Sequence, residues 1–145
     1  MPYYHAFQTF QSLSDCREIY HNKENDGWIE YKYEAHFDPR WNKSDIGSED
    51  DVPSFVTILS DPHTRHRYRQ VVLVSKGNQR SYLTNFESSE VLKILRWSKE
   101  DNKVYFMATA EGKPGSQHLF RLSVDQTGSA PECMSCGHTE VEKYK

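Results

Sequence analysis

The chain has 145 residues and a mass of 17.0 kDa, enough for one modest domain. Its formal net charge of −3 and pI near 6.2 offer no attraction to nucleic acid or an anionic membrane. With 36% apolar residues, 13% aromatics and a mean hydropathy of −0.86, aromatics are a large part of what can be buried.

No run approaches the ~20 apolar residues of a spanning helix. The opening MPYYHAFQTFQ lacks the basic and apolar segments of a signal peptide, so no targeting signal is expected in this chain. In residues 3–20, Phe7, Phe10, Leu13, Cys16, Ile19 and Tyr20 recur at threes and in pairs. A short amphipathic helix is open there, but a strand is favoured. A turn ending at Gly27 follows it, and Trp28–Glu34 then alternates cleanly. Residues 37–53 read as an acidic, turn-rich loop. It holds the sequon Asn42-Lys43-Ser44, a glycan acceptor in a chain that reaches the lumen.

Beyond the loop, strands are predicted at 55–60, 68–75 and 80–84, with Lys76-Gly77-Asn78-Gln79 as a hairpin turn. Further runs at 91–97, 104–108 and 119–124 are separated by Ser-Lys-Glu-Asp-Asn and Glu-Gly-Lys-Pro-Gly-Ser, and a short fourth run ends in Cys133-Met-Ser-Cys136. This unit reads as one four-stranded antiparallel blade. Residues 56–59 fall on 104–107 and residues 70–75 on 118–123, both at an offset of 48, within the roughly 40–50 residues of a propeller blade. The fold expected is all-β, a partial β-propeller. Residues 1–54 give outer strands of a preceding blade plus the loop, 55–86 a second blade with a shortened inner strand, 87–137 a third, and 138–145 a polar tail. Two adjacent hairpins of an ordinary sandwich are the alternative.

The chemistry is sparse. Gly47-Ser48, Gly115-Ser116 and Gly128-Ser129 all lack the second glycine of a nucleophile elbow. Arg65, Arg67 and Arg69 alternate, which in a strand places them on one face. That face is either a solvated edge or a contact for an anion or protein partner. Cys133-Met-Ser-Cys136-Gly137-His138 has several readings. Half a zinc site needs another pair of Cys or His ligands, and Cys16 alone remains. Haem attachment needs His directly after the second Cys, and a thioredoxin-like pair needs a βαβ context. A structural disulfide between Cys133 and Cys136 is the best reading in an oxidising compartment, leaving Cys16 over. No cofactor and no metal are expected.

The series Val91-Leu-Lys-Ile-Leu, Asn102-Lys-Val-Tyr-Phe-Met-Ala, Gly115-Ser-Gln-His-Leu-Phe-Arg and Cys133-Met-Ser-Cys136 resembles one blade of the N-terminal β-propeller of the dipeptidyl peptidase IV family. Tyr82-Leu-Thr84 resembles the family's strand ending in an Ile/Leu-Thr pair, and Cys16, Tyr33-Glu34 and Trp41 are similar to its preceding blade. The resemblance implies an eight-bladed propeller that shields a serine exopeptidase site. That site removes X-Pro or X-Ala dipeptides from peptide N-termini, in a type II membrane or secreted, glycosylated, dimeric protein. The partners implied are the remaining blades, an α/β-hydrolase domain and a peptide substrate reached through the parent. The family's triad would lie beyond Lys145 and its paired glutamates upstream, so no catalytic residue is expected here. Active members place Phe-Arg soon after the tryptophan matched by Trp41, where this chain reads Asn-Lys-Ser-Asp-Ile-Gly. Non-catalytic members of the family lack that pair too. The family's partner for Cys16 would fall at 28–30, where no Cys stands.

Overall fold

A computed structural model of the chain describes residues 34–42, 52–62, 66–125 and 128–136. They form two four-stranded antiparallel sheets in simple chain order, with no α-helix among the described residues. The first sheet is β1 (His36–Phe37), β2 (Phe55–Ser60), β3 (Arg69–Ser75) and β4 (Gln79–Tyr82). The second is β5 (Val91–Trp97), β6 (Lys103–Ala110), β7 (Lys113–Ser123) and β8 (Glu132–Cys133). The all-β, partial β-propeller architecture expected from the strand pattern is what the described residues adopt.

Each turn follows from its residues. Gly77 and Asn78 take positive φ of 73° and 63° in the tight 3-10 turn between β3 and β4, where glycine and asparagine cost least. Residues 37–53 are not all loop, because Phe37 pairs with Phe55 and their rings lie 5.6 Å apart. The Glu-Gly-Lys-Pro-Gly-Ser segment is not all turn either. Only Glu111 and Gly112 turn, and β7 starts at Lys113. Pro114 is tolerated because the ladder breaks between Thr109↔Gln117 and Ala110↔Lys113, so residues 114–116 bulge out of register.

Both faces of the first sheet are apolar. Val56, Ile58, Val71 and Leu73 point to one side and Phe55, Leu59, Val72 and Val74 to the other. The first set meets Val91, Ile94, Trp97, Val104, Phe106, Ala108 and Leu122 of the second sheet in one shared core. A sheet buried on both faces reads as nearly continuous hydrophobic sequence, as Phe55–Leu59 and Val71–Val74 do.

Facing and pairing also correct the repeat by one residue. Phe55 pairs with Val74, and Val104 with Leu122. Phe55, Leu59, Val72 and Val74 share the back face of the first sheet, as Val104, Ala108, Phe120 and Leu122 share that of the second. Residues in β3 thus recur 48 positions on in β7, but those in β2 recur 49 positions on in β6. A slip of one residue moves a strand's side chains to the opposite face, which is why aligned letters alone miss it. The two sheets are then successive copies stacked front to back. Tyr105, Met107, Leu119 and Arg121 of the second sheet occupy the positions of Val56, Ile58, Val71 and Leu73.

Candidate functional site

The residues with distinctive chemistry gather where β8 leaves the second sheet. β8 pairs Cys133 with Phe120 and Glu132 with Arg121. The Arg121 guanidinium grips Glu132 through two bonds, Nε to Oε2 at 2.8 Å and a second nitrogen to Oε1 at 2.9 Å. That grip holds the Glu132 carboxyl below its usual range. Beyond β8 the Met134 amide donates to the Leu119 carbonyl at 2.7 Å, and the Leu119 amide donates to Ser135 Oγ at 3.0 Å. These bonds return Cys136 to Cys133, and the two are joined as a disulfide with Cα atoms 5.6 Å apart, inside the ordinary span for such a bridge.

His118 completes the cluster. It lies on β7, its Nδ1 3.3 Å from Ser135 Oγ, and a ring nitrogen and the two sulfurs all fall within 4.8 Å of one another. His118 and Cys133 are half-buried and Cys136 is exposed. His118 stands fifteen residues upstream of Cys133 and adds a potential ligand where the sequence offered Cys16 alone. No sequence motif marks it; the β7–β8 pairing sets it beside Ser135. Cys16 and His138 lie outside the described residues.

The remaining predicted residues are dispersed. Asn42 is exposed directly after the turn in which Asp38 accepts from the Arg40 guanidinium at 2.9 and 3.0 Å; Ser44 of its sequon is outside the described residues. The arginine row does not form as a single strand face. β3 begins only at Arg69, and Arg67 has a φ of 49°, so the two-residue period stops before it. Arg65 is outside the described residues, and Arg69 is engaged with Glu90 at 2.6 Å. A cleft of about 320 Å³ opens beside the 85–89 linker, lined by Phe86, Phe120, Glu87 and Glu111 among others, and no predicted site residue reaches it.

No helix among the described residues is long and apolar enough to cross a membrane. No curated protein and no solved structure gives a significant match to the chain. The family model described as the dipeptidyl peptidase IV (DPP IV) N-terminal region matches residues 4–144, nearly the whole sequence, and agrees with the two stacked antiparallel sheets. The chain belongs to the dipeptidyl peptidase IV N-terminal region family.

Proposed function

We propose that the chain is a non-catalytic propeller segment of a serine exopeptidase that removes X-Pro or X-Ala dipeptides from peptide N-termini. In that parent the propeller scaffolds and gates the site. The observation that carries this reading is the front-to-back stacking of the two sheets, within a family match spanning residues 4–144. A sheet that is apolar on both faces is built to sit between neighbours.

In this reading residues 55–86 are the second blade, with a shortened inner strand, and residues 87–137 the third. Residues 1–54 supply strands of a preceding blade and a loop, and residues 138–145 are a polar tail. Its partners are the remaining blades, the α/β-hydrolase domain, the peptide substrate reached through the parent and a second copy in a homodimer. The parent is a type II membrane or secreted glycoprotein, Asn42 carries glycan, and the Cys133–Cys136 bridge closes in an oxidising compartment.

The test is release of a chromogenic group from an X-Pro dipeptide substrate. The chain alone gives no turnover above buffer, and the product of its full source transcript cleaves the substrate. Turnover by the chain alone would refute the assignment. A folded full-length product without turnover would favour the second reading, a protein-binding module of a non-catalytic dipeptidyl-peptidase-like membrane protein. That alternative is favoured by the run Asn42-Lys43-Ser44-Asp45-Ile46-Gly47 after Trp41, since active members of the family it resembles place Phe-Arg soon after that tryptophan.

A further inference from the structure

We propose that, once the Cys133–Cys136 bridge is reduced, the two thiolates and His118 form a binding site for one thiophilic divalent cation of the zinc type. Three potential ligand atoms already stand within 4.8 Å of one another. A tetrahedral zinc centre has Zn–S near ~2.3 Å and Zn–N near ~2.0 Å, so its ligand atoms sit roughly 3.3–3.8 Å apart. Opening the S–S bond lets the sulfurs separate to that distance while the backbone stays put. The two cysteines have the C-x2-C spacing of zinc knuckles, and the third ligand comes from the adjacent strand.

The turn that presents the sulfurs does not depend on the bridge alone. The Met134-to-Leu119 and Leu119-to-Ser135 hydrogen bonds hold it against β7. Ser135 Oγ, 3.3 Å from His118 Nδ1, also orients the imidazole, the role a hydrogen-bonded neighbour plays around a metal-ligating histidine. Exposed Cys136 gives a reductant its point of attack and leaves a coordination position for water.

The chemistry balances with a dithiol as reductant. The protein S–S bond breaks, and two electrons and two protons pass to Cys133 and Cys136 as the dithiol closes to its own disulfide. The cation then displaces the two thiol protons and takes the neutral imidazole, so binding releases two protons and weakens as the solution is acidified. The outer strand is thus held by a covalent staple when oxidised and by a metal clamp when reduced.

The full chain carrying Cys16→Ser, reduced with a dithiol and desalted under inert gas, is titrated with Co²⁺. The expected result is one equivalent bound, with thiolate-to-cobalt charge-transfer and tetrahedral visible bands that Zn²⁺ abolishes. His118→Ala and His118→Gln each weaken binding at least tenfold. The same chain kept oxidised gives no such spectrum, a control that needs no further substitution. Absence of the tetrahedral spectrum in the reduced chain, equal binding by the oxidised chain, or an unchanged titration in both His118 variants would each overturn the site.

Discussion

The Arg69 Nε lies 2.6 Å from Glu90 Oε1, joining the third strand of the first sheet to the residue just before the second. Glu90 is held in turn by Thr109, whose hydroxyl accepts from the Glu90 amide at 2.9 Å and whose amide donates to the Glu90 carbonyl at 3.0 Å. The ion pair therefore spans the seam between the two sheets from a fixed anchor. Both side chains are partly exposed, so the pair is worth more than a free surface contact and less than a buried one. A double-mutant cycle of Arg69→Ala and Glu90→Ala, read from urea midpoints, should give a coupling of about 1 kcal/mol that shrinks in high salt. A coupling near zero would mean the sheets are held at this seam by apolar contact alone.

Gln70 is fully buried at the start of β3. Its Oε1 accepts from the Thr84 hydroxyl at 2.7 Å and the Phe86 amide at 3.0 Å, and its Nε2 donates to the Phe86 carbonyl at 2.9 Å. Thr84 Oγ1 accepts from the Val71 amide at 3.0 Å. This side chain takes over from the backbone pairing, whose last bond is from the Leu83 amide to the Val71 carbonyl at 2.8 Å, and routes the chain toward the second sheet. Gln70→Leu keeps the volume but strands several buried polar groups, so it should cost about 3 kcal/mol. Equilibrium unfolding measures it, and Gln70→Glu should be as harmful because a carboxylate cannot donate to Phe86.

What the sequence disclosed and what it hid follow from the range of the forces involved. β2 and β5 match their predicted bounds because Phe55–Ser60 and Val91–Trp97 are β-rich runs between turn residues, a local signal. β7 begins six residues before its apolar run because Lys113, Gln117 and His118 pair with β6 on either side of the bulge, and this segment has no apolar pattern of its own. The one-residue slip in the repeat was invisible because Phe55 and Val56 are both apolar, and only the shared core reveals which faces the neighbour. The Cys133–Cys136 bridge was legible from spacing. Its neighbour His118 was not, since strand pairing, and no motif, brings it there.

Asn102 occupies the tight turn between β5 and β6 with a φ of 51°. Its Oδ1 accepts from the Trp97 indole at 2.9 Å and its Nδ2 donates to Asp125 at 2.6 Å. The residue thus does two jobs, taking a left-handed conformation and satisfying a buried indole N–H. The substitutions separate them. Asn102→Gly relieves the backbone cost but leaves Trp97 unpaired, a loss of about 1–2 kcal/mol. Asn102→Ala adds roughly 1 kcal/mol of left-handed strain to that loss. If thermal unfolding ranked alanine above glycine, the turn would have to relax to negative φ.

His36 in β1 supplies a pH signature. Burial is the main cause that lowers its pKa below the ordinary 6.5; Lys93 pushes the same way, and Glu34 opposes them. The neutral ring is therefore favoured in the folded chain. Between the lowered value and 6.5 the unfolded chain binds more protons, so stability is full above about pH 6.5. It declines as the pH falls through 6.5 and stops declining on this account once the folded ring is protonated as well. Asp38 acts in a separate window. Hydrogen bonding from Arg40 lowers its pKa below 3.8, so its contribution is lost only as the pH falls below that range. Urea midpoints taken between pH 7 and pH 5 should fall for the unsubstituted chain and fall less for His36→Gln. Equal slopes in the two proteins would show that β1 admits a charged imidazole without cost.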